Sequence, residues 1–315
     1  MSRARGANAK AFGVFEATPG TVPAAGPAWF GCPFVSHTLG EERPLIMSDL
    51  LGQGREMQDP TPDVATNDGD MVVPVDVRNF GHWLKLYFGA PVSTPGAGGE
   101  EVHTFTSGAQ TLPSMSIEVG APEVPAYSQH YGLRGNQLKI GMARTGLLNA
   151  TCSLVGIGET PIAGVSAAGG ATPSLAVARF PQATGSVSKD GAALGSVVSA
   201  DFTYSNALEK VETIKADGRI EDSDPGMVSM TGSVVVRYKD LTLYNAASTS
   251  TPCELDFGWV TGPHGLLFKV PRVFLPAVKR PVSGPNGIQA TYNWQASGAG
   301  SNSVIATLTN DVAGY

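Results

Sequence analysis

Apolar and polar residues alternate with a period of two along several segments, which is the pattern of β-strands. From Val198 to Tyr204 every second residue is apolar and the residues between them are polar, and the segment 228–238 repeats this pattern with Val235 as the exception. Strands of this kind predict a sheet whose second face meets solvent or a lumen. Further strands are predicted at 252–260, 266–274, 287–296 and 304–308.

One segment has helical periodicity instead. After Asn79, large apolar residues recur at intervals of three and four, which places them on one face of a helix. Asn79 is predicted as the N-cap and Gly89 as the end of this helix. His82 is predicted on the helix surface. The residues of the apolar face are Phe80, Trp83, Leu84, Tyr87 and Phe88.

Parts of the first half of the chain are repeated in the second half. The segment 54–60 (GREMQDP) resembles 218–225 (GRIEDSDP), and each precedes a valine-rich strand. Pairing Gly69 with Gly232 keeps equivalent residues on the core face of both strands. Chance similarity would keep this parity only half of the time, so the match favours an internal duplication.

A helix start follows each of these strands, at Asn79 and Asp240, and upstream the segment 39–42 is matched with 208–210. We infer two copies of one unit, joined by a Gly/Ala/Pro-rich linker. The predicted fold class is mainly β, of the α+β type, with two tandem β-sandwich or barrel units that each carry a flanking helix. The predicted boundaries are 1–160 for the first unit, 161–174 for the linker and 175–315 for the second unit.

Composition points to an assembly. Charged residues make up 15% of the chain, against about a quarter in typical proteins, so a free monomer would have little solubilising surface. The formal net charge of −6 disfavours nucleic-acid binding, which needs clustered Lys and Arg. The three cysteines are far apart and odd in number, which fits a reducing compartment. We expect no signal peptide and no membrane-spanning helix.

The sequence contains no motif for catalysis or for binding a metal or cofactor. The five histidines lack metal-ligand spacing, and H-E-x-x-H, C-x-x-C and G-x-S-x-G are absent. Two acidic clusters have the oxygen density that Ca²⁺ prefers, but neither follows the order of an EF-hand loop, so a solvated or intersubunit loop is favoured. We expect no enzyme activity and no cofactor. The clusters are Asp59, Asp63, Asp68 and Asp70, and Asp217, Glu221, Asp222 and Asp224.

Five segments carry a resemblance to a known protein family. They are SDLLGQGRE at 48–56, VPVDVRNFG at 73–81, GLLNA at 146–150, LEKVET at 208–213 and ADGRIE at 216–221. Over nearly the whole chain, from about residue 6 to Tyr315, the sequence resembles bacteriophage tail tube (major tail) proteins, in a long form with an internally duplicated tail tube unit.

The resemblance implies a structural virion protein whose rings stack into the tail tube, the conduit that delivers DNA into the host cell. It implies the tail tube fold, a β-sandwich flanked by a helix whose strands join those of neighbours in a central barrel, and no catalytic residues. The implied partners are further copies of the chain, with the tape measure, tail terminator and distal tail proteins. DNA is expected to pass without specific binding. The implied location is the virion tail, after assembly in the host bacterial cytoplasm.

Two other classes remain open. Another virion or adhesive β-sandwich module would also be rich in strands, although it should carry exposed aromatic residues on loops that here consist of Gly, Ser, Asp and Pro. A hydrolase would need a nucleophile beside a base, and the sequence gives no linked signal for such a pair.

Barrel geometry favours three chains per ring. With about four strands per unit, a strand spacing of about 4.8 Å and a tilt of about 40°, three chains of two units give about 24 strands and a bore of about 40 Å. This bore passes a DNA duplex, whereas about 12 strands leave about 14 Å, little more than the width of a major groove. We therefore predict a homotrimer with pseudo-sixfold symmetry. A hexamer with one unit per chain in the barrel is the second interpretation.

Two sets of residues are candidate sites. The polar strand faces predict lumen-facing residues, because a neutral or acidic wall does not hold phosphates. The long charged turns 41–60 and 209–225 predict contacts with adjacent subunits or the next ring, where Arg55 and Arg219 would pair with carboxylates. The candidate lumen-facing residues are Asp70, Asp76, Ser199, Asp201, Thr203, Ser205, Ser229, Thr231 and Ser233. The candidate loop residues are Glu41, Glu42, Arg55, Glu56, Asp59, Glu209, Lys210, Glu212, Arg219, Glu221, Asp222 and Asp224.

Overall fold

The computed structural model describes residues 3–23, 29–169, 174–279, 287–300 and 302–315. The fold is mainly β, as the sequence predicts, and neither of its two described α-helices is long and apolar enough to cross a membrane. The helices are α1 (Phe80–Phe88) and α2 (Thr242–Thr249), with single 3-10 turns at Gly6–Asn8 and Gln182–Thr184. The strands of the first half are β1 (Lys10–Phe15), β2 (Phe30–Gly31), β3 (Ser36–His37), β4 (Gly40–Glu42), β5 (Leu45–Ile46), β6 (Thr61–Pro62), β7 (Thr66–Pro74), β8 (Val92–Pro95), β9 (Glu101–Thr106), β10 (Met115–Ala121), β11 (Ala126–Ala143), β12 (Asn149–Gly156) and β13 (Gly158–Glu159). Those of the second half are β14 (Ser186–Lys189), β15 (Ala192–Ala193), β16 (Val197–Ser205), β17 (Glu209–Val211), β18 (Asp222–Asp224), β19 (Ser229–Arg237), β20 (Cys253–Thr261), β21 (His264–Phe274), β22 (Gln289–Ala296) and β23 (Ile305–Asn310).

Helix α1 occupies the predicted segment, but a different side chain caps it. The predicted apolar face is buried, while the Asn79 side chain makes no capping hydrogen bond. Instead, Asp76 Oδ2 accepts hydrogen bonds from the Asn79 backbone N–H at 3.1 Å and from Asn79 Nδ2 at 2.8 Å. The carboxylate thereby satisfies a polar group that the first helical turn leaves unpaired. Gly89 follows the helix with a φ of 92°, a left-handed conformation that glycine adopts without strain.

Helix α2 occupies the corresponding place in the second half and begins two residues after Asp240. Asp240 Oδ1 accepts a hydrogen bond from the Thr242 N–H at 2.9 Å, which matches the role of Asp76 at α1. Only Leu243 and Ala247 are buried on this shorter helix. The predicted second helix start is therefore confirmed, although its apolar face is smaller than that of α1.

The two halves of the chain pair their strands in the same order. In the first half the order is β1–β10–β11–β12–β7. In the second half it is β14–β20–β21–β22–β19, and all of these pairs are antiparallel. In each half a later, shorter strand also pairs with the long strand: β13 pairs with β11 in the first half, and β23 pairs with β21 in the second.

The residue register repeats as well as the order. β19 has the same length as β7, and β22 has the same length as β12. When the first residues of these strands are aligned, β19 with β7 and β22 with β12, the cross-strand partners of one pair fall on those of the other. Gly69 faces Leu154 in the β7–β12 pair, and Gly232 faces Trp294 at the same point of the β19–β22 pair.

A β-bulge is repeated at the same point of each half. In the first half the register of the β10–β11 pair shifts between Met115 and Ile117. In the second half the β20–β21 pair shifts between Cys253 and Leu255, which hold the corresponding positions at the start of β20. Because a bulge bends and twists the strand that carries it, the two halves bend their long strands in the same place.

The structure changes the upstream match between the halves. β3 and β4 pair with β7 in the register in which β16 pairs with β19, so Ser36 holds the position of Ser199. The counterpart of β4 is therefore the end of β16. The predicted match of 39–42 with 208–210 is wrong, because similar glutamate residues occur there at different register positions.

A glycine lies between two large core residues near the middle of each half. Phe202 and Trp294 lie opposite Gly232 on its two neighbouring strands, and both side chains are buried. Gly69 likewise lies opposite Leu154 on one side and beside the backbone of Leu39 on the other. The large neighbours fill the core above each glycine, so a side chain at that position would have no space.

Strands of the two halves join in one hydrogen-bonded sheet. The second part of β11 pairs with β16 along seven residues, and β9 pairs with β23. Of the predicted linker 161–174, residues 170–173 lie outside the described residues. The described part before them returns to the first half, where Ala163 forms a bridge with Tyr127. The division into units at this stretch stays a prediction.

His82 lies in an aromatic cluster, so its prediction as a helix-surface residue is wrong. Its ring stacks on Phe30 with centroids 3.8 Å apart, and the ring of Tyr315 meets it edge-on at 5.1 Å. The Tyr315 ring also covers Gly81, where no room is left for a Cβ. Burial, with a smaller effect of the Lys85 charge, lowers the pKa of His82 to about 4.

We expect the free energy of unfolding to decrease as the pH falls from 7.5 to 4.5. The unfolded chain takes up a proton at His82 near its ordinary pKa of 6.5, whereas the folded chain resists protonation until about pH 4. This difference should remove about 2 to 3 kcal/mol of stability at pH 4.5. Denaturant unfolding of the wild type and of His82→Phe at both pH values measures it. The variant should lose less stability, and an equal loss in both proteins would contradict the assignment.

Candidate functional site

One broad surface of the sheet is polar across six neighbouring strands, and we call it the polar face. The strand order is β7–β12–β11–β16–β19–β22. Alternate residues of these strands are buried in the core, and the residues between them are exposed or half-buried. The polar face consists of Asp70, Val72, Gln137, Lys139, Gly141, Thr151, Ser153, Ser199, Asp201, Thr203, Ser205, Ser229, Thr231, Ser233, Val235, Thr291, Asn293 and Gln295.

The pairing register aligns these residues in rows across the strands. The longest row has one residue on each of the six strands, and five of its six side chains are polar or charged. This row therefore crosses the boundary between the halves of the chain without a break. It consists of Val72, Thr151, Lys139, Thr203, Thr231 and Gln295.

The polar face brings together eight of the nine predicted lumen-facing residues; whether they face a bore stays a prediction. Sequence reasoning missed two further strands of this surface, β11 and β12, and the polar face of β22, whose strand was predicted at 287–296. Alternation in the segments 137–143, 149–155 and 289–295 was the signal that could have found them. The missed polar residues are Gln137, Lys139, Thr151, Ser153, Thr291, Asn293 and Gln295.

Asp76 is the exception, and its prediction as a lumen-facing residue is wrong. β7 ends at Pro74, so the alternation that would place Asp76 beside Asp70 does not continue that far. The Asp76 side chain is fully buried and caps α1. Burial raises the pKa of Asp76, and hydrogen bonds from Asn79 and from backbone N–H groups oppose part of that rise.

Each half has one carboxylate at the equivalent point of the polar face. In the first half, Asp70 on β7 lies beside Thr38, whose Oγ1 accepts a hydrogen bond from the Asp70 N–H at 2.9 Å. In the second half, Asp201 on β16 accepts a hydrogen bond from Ser233 Oγ on β19. In the aligned register Asp70 corresponds to Ser233, and Thr38 corresponds to Asp201. The carboxylate and the hydroxyl have therefore exchanged strands between the two halves. Ser153 Oγ also donates to Asp70 Oδ1 at 2.5 Å.

Charge on the polar face is nearly balanced. Asp68, Asp70 and Asp201 are the carboxylates on this side of the described strands, and Asp68 pairs with Lys210. Lys139 and Arg237, which ends β19, supply exposed cations. The remaining polar groups are hydroxyls and amides, which bind water. Such a surface offers no row of cations that could neutralise a line of phosphates.

The second charged loop, residues 207–226, contacts the first half of the same chain. Arg219 was predicted to meet a carboxylate of an adjacent subunit, but its partner is Glu41 of its own chain, so this prediction is corrected. Burial would raise the pKa of Glu41, but hydrogen bonds from Arg219 and from the Glu159 N–H outweigh it, so the pKa is lowered. The ion pairs between loop and first half are Arg219–Glu41 at 2.7 Å, Lys210–Asp68 at 2.5 Å and Asp222–Arg134 at 2.6 Å.

The first charged loop, residues 43–63, is mostly free of such contacts. Arg55, Glu56 and Asp59 form no ion pair within the described part of the chain. Large apolar side chains are exposed along it, which is typical of an interaction surface. They are Leu45, Ile46, Met47, Leu50, Leu51 and Met57. The other predicted loop residues without an ion pair in the described chain are Glu42, Glu209, Glu212, Glu221 and Asp224.

The acidic clusters do not converge on a common point. Among the residues that the structure describes, no three His, Cys, Asp or Glu side chains lie close enough together to hold a metal ion. Two of the clustered acids, Asp68 and Asp222, instead pair with Lys210 and Arg134.

Comparison with known protein families gives a match over most of the chain. The model of a family described as phage tail tube protein matches residues 6–296. No curated protein matches the chain in sequence.

Proposed function

Because the chain belongs to the phage tail tube protein family, we propose that it forms the stacked rings of a phage tail tube through which DNA reaches the host cell. The protein is a structural component of a phage tail. The polar face carries the proposal that it forms a conduit. It is a near-neutral surface on six neighbouring strands with a buried core behind it, and DNA can slide along such a wall because phosphates find no row of cations to neutralise them.

Further copies of the chain are the main proposed partners, within a ring and between stacked rings. We propose the tape measure, tail terminator and distal tail proteins as additional partners. DNA would pass without specific binding, and the chain would have no catalytic role and no cofactor. The proposed location is the virion tail, with assembly in the cytoplasm of the host bacterium.

We propose that the chain contains two tail tube units, residues 1–160 and 175–315. The repeated strand order, the matching cross-strand partners and the repeated bulge all support this division. Two unrelated domains would not share the residue register of every central pair. A covalently joined pair of units makes a ring of three chains equivalent to a ring of six units.

The contact between the two units within the chain offers a template for contacts between chains. Within the chain, β11 of the first unit pairs with β16 of the second. The counterparts of β16 in the first unit are β3 and β4, and no described strand pairs with their outer edge. An unpaired strand edge favours pairing with another chain. We propose that β3 and β4 pair with the second unit of the neighbouring chain, so that all junctions in the ring are alike.

We expect each ring to contain three chains with pseudo-sixfold symmetry. Six units with about four strands each give a bore of about 40 Å, which accommodates a DNA duplex, and the equivalent polar strands of the two units support this count. A cryo-electron microscopy reconstruction of tubes measures the number of chains per ring. Six chains per ring would contradict the trimer and favour the hexamer in which one unit per chain enters the barrel.

Electron micrographs of the purified protein test the proposed function. A tube protein should assemble into stacked rings with a central channel. Discrete particles without a channel, under all conditions in which the protein is folded, would favour another virion or adhesive β-sandwich module. Labelling the protein in intact phage particles would then locate it within or outside the tail.

A further inference from the structure

The second loop shows how a loop of one unit contacts the other unit. Its Gly218 carbonyl accepts a hydrogen bond from the Ala65 N–H at 2.8 Å. A Cβ on Gly218 would lie 3.6 Å from the Cα of Val64, which is ordinary van der Waals contact. Three ion pairs, of Arg219, Lys210 and Asp222, join the same loop to the first unit. The loop of the second unit is therefore firmly docked on the first unit.

The first loop has the same framework. Its hairpin, β5 with β6, pairs Ile46 with Thr61. The hairpin of the second loop, β17 with β18, pairs Glu209 with Asp224. When β7 is aligned with β19, Glu209 holds the position of Ile46 and Asp224 holds that of Thr61. The two loops therefore have equal length and leave their units at equivalent points.

The two loops differ in the character of their side chains. The second loop presents Lys210, Arg219 and Asp222 to its docking surface. The first loop has Met47 at the position of Lys210 and exposes further apolar residues, among them Leu51 with 94% of its surface accessible. An apolar loop of this kind needs an apolar surface to cover it.

The surfaces that would receive the loops differ in the same way. On the first unit, the docking surface for the second loop is charged. At the equivalent register positions, the second unit carries uncharged side chains. Thr231 replaces Asp68 and Phe274 replaces Arg134, while the position of Glu41 is taken by Tyr204, whose side chain is buried in the core.

A cleft of about 740 Å³ lies at this place on the second unit. Its apolar lining includes Pro225, Met227, Phe274 and Ala296, and Ser229 and Gln295 line it at one end of the polar face. Met227 holds the position of Val64, against which the second loop rests in the first unit, and 89% of its surface is accessible. The cleft is therefore the counterpart of an occupied docking site, with the apolar Phe274 in place of Arg134.

We propose that residues 45–57 of one chain dock in this cleft on the second unit of the next chain in the same ring. The occupied site within the chain supplies the geometry, and the apolar side chains of the loop match the apolar Phe274 and Met227 of the cleft. The first loop also begins directly after β4, at the sheet edge where the neighbouring chain would join. The inference rests on the proposed ring assembly.

A disulfide between the loop and the cleft tests the proposal. In the register of the two hairpins, Arg55 holds the position of Gly218, so the sequence match of 54–60 with 218–225 is corrected by one residue at its start. Met227 holds the position of Val64, and the backbones of Gly218 and Val64 are in contact within the chain. The variant Arg55→Cys with Met227→Cys should therefore form a disulfide between chains, and the three native cysteines are buried and should not interfere. Oxidised tubes should yield covalently closed rings on a non-reducing denaturing gel, with the mass of three chains if the ring is a trimer.

Each result separates the proposal from its alternatives. The matched control, Arg55→Cys with the exposed Val260→Cys, should give no closed product. Tubes that form normally without cross-linking would overturn the docking proposal and leave the tube function standing. Cross-linked products that extend far beyond one ring would overturn it in favour of a contact between stacked rings. Wild-type protein that forms no rings would instead count against the proposed function.

Charged substitutions provide a second test. Leu50→Asp with Leu51→Asp should reduce the yield of tubes at least tenfold, because a docked carboxylate would be buried without a partner. The control, Val92→Asp with Val260→Asp, changes two exposed valines outside the loop and should assemble normally. Circular dichroism should show both proteins folded. Normal tube yield from the loop variant would contradict the proposal.

Discussion

Replacement of both Asp70 and Asp201 with lysine is expected to slow DNA ejection by at least about tenfold while tubes still form. Each substitution replaces a carboxylate with a cation on a near-neutral polar face, so three chains gain about six cations and the net charge of a ring rises by about twelve units. Neutralisation of several phosphates by fixed cations gives strong, counterion-driven adhesion. The delay should be greatest at low salt, where screening is weakest. Time-resolved measurement of DNA release from phage particles that carry the variant gives the rate.

Two controls make this prediction specific to the polar face. Asp70→Asn with Asp201→Asn removes the carboxylates without adding cations and should slow ejection much less. Lysines at Ser248 and Thr249, which are exposed on α2, add charge away from the polar face and should leave the rate unchanged. Unchanged ejection from particles with full lysine occupancy at positions 70 and 201 would show that the polar face lines no DNA channel.

The substitution Gly232→Ala is expected to lower the free energy of unfolding by about 3 kcal/mol or more. A Cβ at this position would overlap the carbonyl oxygen of Asp201 and would lie 2.7 Å from the ring of Trp294. The backbone oxygen cannot rotate away, so two strands would have to separate. Denaturant unfolding measures the change, and failure to express folded protein would be the extreme form of the same result.

Two other glycines calibrate this effect. Gly69→Ala should destabilise less, because the new Cβ would lie 2.8 Å from the nearest backbone atoms of Thr38 and Leu39. Gly141→Ala on the polar face has no atom within 4 Å and should change stability by less than about 0.5 kcal/mol. Equal effects at Gly232 and Gly141 would refute the steric explanation.

Helix α1 and the strands of the second half could be predicted because their side chains follow a clean period. The long strand β11 was not predicted as one element, because only its second part, residues 137–143, alternates cleanly. Its register with β12 shifts between Gly135 and Gln137, so the alternation changes phase inside the strand. Asp76 was misplaced because alternation predicts a face only while the strand continues, and β7 ends at Pro74. Proline cannot donate a ladder hydrogen bond, so Pro74 was the signal for this end.

The extent of the internal duplication was also hidden from sequence comparison. The register matches continuously from β3 to the end of β7, whereas only short identities are visible in the sequence. The reason is that the two halves share the combination of residues in a cross-strand pair, and not the residue at each single position. Asp70 with Thr38 corresponds to Ser233 with Asp201, so a comparison position by position finds a mismatch at both sites.

The difference between the charged internal docking site and the apolar cleft gives the chain a head and a tail. Here the head is the apolar first loop and the tail is the apolar cleft. A loop that presents Leu51 fits poorly on a surface lined by Glu41 and Asp68, so the first loop should bind the cleft and not the charged site. Growth would then proceed in one direction, and a head-to-tail contact closes into a ring once the rotation per chain completes a circle. Since half of the junctions are already made within single chains at high effective concentration, a ring needs fewer encounters, and incomplete arcs should be short-lived.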